Sequence, residues 1–430
     1  MVRATFMIAL LALTGAGARA NILGIHTMIQ DNGESTQQLD QAAELCGWGG
    51  WVKQLMYVQD GTEWKFDTKW TPFVDGARQR HLNVVARLHY LPPSFRADPN
   101  NFASKPKSDA DDSFTSYKNL IQGFVARFGG HLHYIEIWNE PNLGYEWNTF
   151  PDAEEFVKVM MAGYDGAQEA DPACRVLFPG LAPTNGTADN QNIDNLVFLR
   201  SCFQSTYTCP RDGKTFKDHF DILGNHSYSL NHPASYNADR YSIKGYLWEL
   251  AVCNEFGKNP KVLITECGYA LGNHDDGAYP AVTENSRASN MLLAFRDYWA
   301  ADARVLGAMP YFLHSVERPS DRPFFWIRDD GSHTPQYDTV KGAGTILADV
   351  PGNLLNRYGN LRRTSGFDPL NVADAIAITR VAAGVDPAPE PYQVTTADVA
   401  PAGAPDGVLT MADAIGVMRM LAGLDKTPVS

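Results

Sequence analysis

Short apolar segments typical of buried β-strands alternate with longer segments of helical periodicity over most of the chain. Because a helix between two consecutive strands allows them to pair in parallel, the alternation predicts an α/β fold. We place eight strands at residues 21–28, 51–57, 82–89, 133–142, 175–179, 220–226, 261–266 and 305–313. Eight strands favour a (β/α)8 TIM barrel, with a doubly wound open sheet as the alternative. No glycine-rich phosphate loop follows the first strand, which weakens that alternative.

The two ends of the chain differ from this central part. Residues 1–20 begin with a positive charge at Arg3, continue with an apolar segment too short to span a bilayer, and end in an Ala-Arg-Ala motif before residue 21. They predict a cleaved signal peptide, so we expect a secreted protein; a retained N-terminal anchor is the alternative. The barrel would occupy residues 21–349 and a small all-helical module residues 350–430.

Net charge and cysteine content narrow the function classes. The formal net charge of −13 argues against nucleic acid as a partner, because phosphates would be repelled. A neutral substrate is compatible with this charge. Export permits disulfide bonds, and of the six cysteines Cys202 and Cys209 are the expected pair because they close a short loop. No Cys/His spacing predicts a zinc site.

Glutamate ends two of the predicted strands. An apolar segment is followed by Trp138, Asn139, Glu140 and a proline that cannot continue a central strand, so Glu140 should lie at a carboxyl end. A second apolar segment ends in Glu266. In a barrel the ends of the fourth and seventh strands face each other across the opening. Two carboxylates placed there are what glycoside hydrolysis requires.

Four further side chains are predicted to support these carboxylates. His226 and Tyr228 share one face of the sixth strand, and Arg87 and His89 share one face of the third. Tyr228 would hold one carboxylate ionised, and His226 would orient the other. Arg87 would lower the pKa of a carboxyl by hydrogen bonding, although a purely structural ion pair, with Glu136 as its partner, fits the sequence equally well.

Two tryptophans, Trp138 and Trp326, are candidates for stacking on a sugar ring. A flat aromatic ring suits the apolar C–H face of a sugar. The other tryptophans of the chain are too numerous to assign from the sequence.

The strand ends Trp138-Asn139-Glu140-Pro, His226-Ser-Tyr228 and Ile-Thr-Glu266 resemble those of clan A glycoside hydrolases, closest to families 5 and 39. The resemblance covers about residues 21–345. It implies a (β/α)8 barrel, no catalytic cofactor and retaining double displacement on a β-linked polysaccharide or oligosaccharide. It also implies that Glu140 is the acid/base, Glu266 the nucleophile and Asn139 a contact of the sugar 2-hydroxyl.

Two positions depart from that pattern. Lys53 stands where many members have arginine, and the eighth strand lacks the tryptophan often found there. Trp326 is a candidate substitute for that platform. These departures keep a second hypothesis open, namely a catalytically impaired barrel that binds carbohydrate and is carried by an attachment module.

The C-terminal part contains the same segment twice, at residues 371–386 and 410–425. Two such short helical repeats should pack on each other. They resemble type I dockerin repeats, which implies a cohesin-like partner and one Ca²⁺ in the second repeat. The implied ligands are Asp398, Asp406, Thr410 and Asp413. A helical pair without metal is the alternative.

Overall fold

The computed structural model describes residues 21–29, 34–47, 49–57, 66–111, 113–148, 150–274, 277–348, 372–384 and 408–421. Eight parallel strands follow one another in chain order in a single sheet. They are β1 Gly24–Thr27, β2 Trp51–Tyr57, β3 Asn83–His89, β4 Tyr134–Ile137, β5 Arg175–Phe178, β6 Ile222–Tyr228, β7 Lys261–Gly268 and β8 Val305–Ala308. A parallel bridge between Leu23 and Ala308 brings the last strand beside the first, so the barrel is nearly closed.

The intervening helices surround the strands. They are α1 Glu34–Cys46, α2 Phe66–Gln79, α3 Thr115–Ala126, α4 Gly144–Trp147, α5 Ala153–Ala170, α6 Asn195–Gln204, α7 Tyr246–Glu255, α8 Glu284–Leu293 and α9 Pro335–Ala348. A π-helical turn, Ala294–Trp299, continues α8. The predicted (β/α)8 barrel is therefore confirmed, and the open-sheet alternative is wrong.

The observed ends of helices and strands depend on local caps and on tertiary contacts. Helix α5 is capped by the Asp152 side chain, which accepts hydrogen bonds from the Glu154 and Glu155 N–H groups. The eighth strand ends at Ala308, earlier than expected. Beyond it the chain still touches β1, since Leu313 N–H donates to the His26 carbonyl over 2.8 Å.

The barrel interior changes from apolar to charged along the strands. Seven buried residues form an apolar cluster inside it: Trp51, Val85, Tyr134, Leu177, Ile222, Leu263 and Met309. Two residues further along β2, β3 and β4, on the same strand faces, stand Lys53, Arg87 and Glu136. The apolar floor thus supports a charged layer directly beneath the carboxyl ends of the strands.

The C-terminal repeats form two helices, α10 Val372–Ala382 and α11 Met411–Leu421, which contact each other as predicted. Ala375, Ile378, Ala414 and Val417 are buried. Among the described residues, no helix has the length and apolar character needed to cross a bilayer.

The cysteine prediction is wrong. All six cysteines are buried free thiols, so Cys202 and Cys209 are not joined. Short sequence separation favours loop closure, but it does not bring two side chains into bonding geometry.

Candidate active site

The carboxyl ends of β3, β4, β6 and β7 meet at one end of the barrel, which we call the mouth. Glu140 follows β4 and Glu266 lies in the last part of β7. A carboxylate oxygen of each residue and a ring nitrogen of His226 all lie within 4.8 Å of one another. The structure therefore brings together the two glutamates that the sequence singles out.

A tight turn presents Glu140 to the mouth. Trp138 and Glu140 both adopt left-handed backbone conformations, with φ of 77° and 38°. The Glu140 N–H donates to the Gly180 carbonyl over 3.1 Å, which ties the turn to the end of β5. Non-glycine residues rarely adopt positive φ, and such conformations concentrate at functional sites. Only 13% of the Glu140 side chain is exposed, facing the mouth.

Glu266 is held by donors on both carboxylate oxygens. Its Oε1 accepts from Arg87 over 2.8 Å and from Lys53 over 3.2 Å. Its Oε2 accepts from the Tyr228 hydroxyl over 2.9 Å. These contacts come from three different strands, so the orientation of the carboxylate is fixed by the barrel itself.

The charges around Glu266 decide its ionisation. Burial alone would raise the pKa of its carboxyl, because the charged form loses hydration. The positive charges of Lys53, His226 and Arg87 outweigh burial and hold that pKa well below its usual range. Glu266 is consequently ionised at neutral and mildly acidic pH.

Glu136 lies beneath this pair, fully buried, and its partner is Lys53. The expected pairing with Arg87 is wrong, because Arg87 is engaged by Glu266. Lys53 Nζ lies 2.9 Å from Glu136 Oε2, and Thr265 donates to Glu136 Oε1 over 2.6 Å. Burial raises the pKa of Glu136, but the charges of Lys53 and His226 and the hydrogen bonds from Thr265 and Lys53 together outweigh burial and lower that pKa. Lys53 is therefore shared between a structural carboxylate and Glu266.

His226 connects the two sides of the mouth. Its Nδ1 lies 2.8 Å from Glu140 Oε1, and its Nε2 lies 3.5 Å from Lys53 Nζ. The ring therefore lies between the Glu140 carboxyl and the Lys53 ammonium. A Cβ at Gly180 would lie 2.1 Å from the ring, so only glycine leaves room for His226 here.

Asn139 is fixed by the same network. Its Oδ1 accepts from Arg87 over 2.8 Å. Its amide also hydrogen-bonds to Glu146, a carboxyl on α4 that the sequence reading missed. Burial and the nearby charge of Glu140 raise the pKa of Glu146 to about 7. Helix α4, which carries Glu146, is only four residues long, so it is too short to give a periodic signal in the sequence.

His89 and Trp138 lie behind this network. His89 Nδ1 is 3.6 Å from Glu146 Oε2, its ring is 4.5 Å from that of Trp138, and the Trp138 indole donates to the Glu146 carbonyl over 3.0 Å. Both side chains are fully buried. They support the α4 segment and offer no face to a sugar.

Trp326 is also buried, with 1% of its surface exposed, so the expected stacking role does not fit its position. Other aromatic side chains are better placed. Tyr145 lies next to Glu146 and is 66% exposed. Phe324 packs 5.9 Å from Tyr228, and both line a cavity of about 280 Å³ beside Glu266. Which loop aromatic reaches the mouth depends on loop conformation, which residue type alone does not reveal.

Metal binding at the mouth is disfavoured by its cations. Glu140, His226 and Glu266 are close enough to share an ion. However, two cations, Lys53 and Arg87, already occupy Glu266 Oε1 and balance the charge that would otherwise attract a divalent ion.

The predicted calcium ligands are only partly described. Asp398 and Asp406 lie outside the described residues. Thr410 precedes α11, and Asp413 Oδ2 accepts from its N–H over 2.7 Å and from its hydroxyl over 2.9 Å. The Thr410 hydroxyl in turn accepts from Ala412 N–H over 3.2 Å. This reciprocal arrangement is a helix cap, so Asp413 has a structural role that needs no metal.

No protein-family profile and no curated protein matches the sequence. Solved structures do match the fold. A family 39 glycoside hydrolase from the gut symbiont Bacteroides cellulosilyticus gives a TM-score of 0.54 at 14% identity, covering 77% of this chain and 64% of that chain. A glucosidase from Croceicoccus marinus gives 0.53 at 13% identity, covering 77% and 69%. A family 30 subfamily 8 xylanase from Clostridium acetobutylicum gives 0.50 at 12% identity, covering 76% and 71%.

These comparisons bear on the fold. The chain spans less than two thirds of the length of the family 39 protein. The sequence identity to each of the three proteins is 14% or lower. The structural neighbours are clan A glycoside hydrolases, a group of enzymes that need no cofactor for catalysis. The chain therefore has the nearly closed (β/α)8 barrel fold of these glycoside hydrolases.

Proposed function

We propose that this protein is a retaining glycoside hydrolase that cleaves β-linked O-glycosidic bonds of a polysaccharide or oligosaccharide. One observation carries the proposal: Glu140 and Glu266 lie within 4.8 Å across the mouth, in different surroundings. Retaining enzymes hold their two carboxyl groups about 5 to 5.5 Å apart, whereas inverting enzymes leave about 6.5 to 9.5 Å for a water. The short separation supports direct attack by one carboxylate on the sugar.

The surroundings assign the roles. Glu266 is held ionised by Lys53 and Arg87, and it attacks the anomeric carbon to form a glycosyl ester. Glu140, hydrogen-bonded to His226, gives its proton to the departing oxygen as that bond breaks. Glu140 then takes a proton from water, which hydrolyses the ester and releases Glu266. Asn139, fixed by Arg87, is positioned to contact a sugar hydroxyl.

The substrate surface is the mouth and its aromatic rim. Tyr145 on the Glu140 side and Phe324 on the Glu266 side give two platforms for sugar rings. A neutral glycan agrees with the net charge of −13, since an acidic glycan would be repelled. The neighbouring glucosidase and xylanase act on different sugars, so the sugar is to be found by screening.

The test is the stereochemistry of the product. Aryl β-glycosides of several sugars are screened, and the first-formed product of a cleaved one is followed by proton NMR. We expect the β-anomer, and a 2-fluoro sugar of the same configuration should label Glu266 in a peptide map. An α-anomer as first product would establish inversion and remove the assigned roles. Binding of glycans without turnover of any would instead support the carbohydrate-binding hypothesis.

We also propose that the protein is exported and that its C-terminal repeats attach it to a partner, in the manner of a dockerin with a cohesin-like protein. The repeated segment and the contact between α10 and α11 support this. Deleting residues 350–430 should leave hydrolysis intact and remove attachment to the producing cell or complex. If attachment survives the deletion, or if a chelator of Ca²⁺ has no effect on it, the dockerin likeness or its calcium dependence is wrong.

A further inference from the structure

A second buried group of ligating side chains lies near the amino end of β6, away from the mouth. It joins Asp165 on α5, Cys209 in the loop after α6, and His219 in the turn before β6. One ligand atom from each lies within 4.8 Å of the other two. All three residues are buried, and a carboxylate such as that of Asp165 is almost never buried unless it is paired.

The orientation of His219 is the first reason to expect an ion. Its Nδ1 lies 2.9 Å from the Thr215 carbonyl, which can only accept, so Nδ1–H donates to that carbonyl and Nε2 is directed toward the carboxylates. Nε2 faces Asp165 Oδ1 at 3.8 Å and Asp212 Oδ1 at 3.6 Å. Within the described part of the chain it has no hydrogen-bond partner. A backbone carbonyl behind one nitrogen is the usual support of a metal-binding histidine.

The loop around Cys209 directs the other ligands to the same point. Cys209 N–H donates to the Lys214 carbonyl over 2.8 Å, and Gly213 N–H donates to the Cys209 carbonyl over 2.9 Å. This turn brings both Cys209 and Asp212 close to His219. The Cys209 thiol donates to Asp165 Oδ2 over 3.0 Å.

The distances suit a tetrahedral ion. Zinc bonds of about 2.3 Å to sulfur and about 2.0 to 2.2 Å to nitrogen and oxygen put neighbouring ligand atoms about 3.2 to 3.6 Å apart. Cys209 Sγ lies 3.0 Å from Asp165 Oδ2. His219 Nε2 lies 3.6 Å from Asp212 Oδ1 and 3.8 Å from Asp165 Oδ1. Asp165, Cys209 and His219 already lie together, and Asp212 Oδ1, 3.6 Å from His219 Nε2, would complete the set by moving its side chain toward them.

The charges also balance. Arg211 Nη2 lies 2.7 Å from Asp165 Oδ1 and 3.4 Å from Asp212 Oδ2. With Cys209 as thiolate, the two carboxylates and the sulfur carry three negative charges. A divalent ion and Arg211 together neutralise them. A thiolate and an imidazole select zinc over Ca²⁺ or Mg²⁺, which prefer oxygen ligands only.

We propose that Asp165, Cys209, Asp212 and His219 form a structural Zn²⁺ site that joins α5 to the segment between α6 and β6. Binding releases the Cys209 thiol proton to solvent and replaces its hydrogen bond to Asp165. A surface cavity of about 570 Å³ opens on Asp165, Cys209 and Arg211 and gives the ion access. The site lies far from the mouth along β6, so its effect is on stability.

The experiment uses the full chain, stripped with a chelator and titrated with Zn²⁺ while bound metal is measured by mass spectrometry. We expect one zinc per chain that is lost on changing Cys209, and a rise in Tm of about 3 to 5 °C at saturation. Replacing zinc with Co²⁺ should give the intense visible bands of a tetrahedral ion and a thiolate-to-cobalt charge-transfer band.

Two variants and one control test the ligands. Cys209→Ser should abolish the charge-transfer band, and Asp212→Asn, at a partly exposed position that the fold tolerates, should weaken zinc binding about tenfold or more. Cys253→Ser changes a buried thiol on α7 outside the cluster, and it should leave the charge-transfer band and the zinc affinity unchanged. Zinc binding that persists undiminished in both cluster variants, or a Cys202–Cys209 disulfide found by peptide mapping of the exported protein, would overturn the proposal.

Discussion

The two sides of the barrel mouth hold the same side chain in different surroundings. On the Glu266 side, two cations and a phenol hydroxyl surround the carboxylate. On the Glu140 side the partner is His226, and the nearest other carboxyl is Glu146, whose pKa is raised to about 7. Cations stabilise an anion, whereas a second carboxyl favours a proton. The difference teaches that two identical side chains at one mouth differ through their charged neighbours, and the proposed roles of Glu266 and Glu140 rest on that difference.

The largest expected effect comes from removing Glu266. Glu266→Ala should lower kcat by about 10⁴-fold or more, because no carboxylate remains to form the ester. Glu266→Gln keeps the size of the side chain and one acceptor oxygen, and it serves as the matched control for folding. Steady-state kinetics, with circular dichroism on both variants, measure this. Activity within tenfold of the parent in a folded variant would end the assignment of Glu266 as nucleophile.

The second effect tests the acid. Glu140→Ala should lower kcat by about 10² to 10⁴-fold on substrates with poor leaving groups, and much less on those with activated ones. Azide should restore turnover and yield a β-glycosyl azide. Glu146→Gln is the neighbouring control and should lose far less. A larger loss in Glu146→Gln than in Glu140→Ala would move the acid role to Glu146.

The third prediction concerns how stability and kcat/KM depend on pH. The pKa of Glu266 is lower in the folded protein than in the unfolded chain, so its ionisation stabilises the fold. That stabilisation is fully present above the pKa of the unfolded chain and is lost as the pH falls through the pKa of the folded protein. The same ionisation limits activity on the acid side. Lys53→Met removes a cation, so the acid limb of kcat/KM should move up by about one pH unit. Lys261→Met, at the exposed start of β7, should leave it unchanged. If the acid limb does not move in Lys53→Met, Arg87 and His226 are sufficient to keep the pKa of Glu266 low.

The smallest effects concern the aromatic rim. Tyr145→Ala should raise KM about 2- to 10-fold, since an aromatic contact contributes about 0.5 to 1.5 kcal/mol. Phe324→Ala tests the other side in the same way. Trp248→Ala, an exposed tryptophan on α7, is the control. Equal KM values for all three variants and the parent would place the sugar platforms elsewhere.

Most strand positions could be predicted from the sequence. A strand of this barrel is buried on both faces, against the barrel interior and against the helices, so it is an unbroken apolar segment. The predicted second strand matches β2, Trp51–Tyr57. The third and fifth differ by one residue at one end. The long apolar segment before Leu313 was over-assigned, because burial against β1 and against loops gives the same composition as a strand.

The candidate site was only partly accessible. Strand-end residues such as Glu140, Glu266 and Tyr228 were found because a strand fixes which side chains share a face. Lys53 was noticed only as a departure, although it lies between Glu136 and Glu266. Its role depends on two other strands, which no local pattern contains. Glu146 was missed for the same reason.

By itself the sequence determined the order of strands and helices, the presence of carboxylates at two strand ends, and the pairing of the C-terminal helices. These follow from periodicity and composition, which act within one segment. Only the tertiary structure decided that Lys53 serves Glu136 and Glu266, that Trp138 and Trp326 are buried, and that Tyr145 is exposed. Charge pairing and burial are set by residues far apart in the chain, which become neighbours only when the barrel closes.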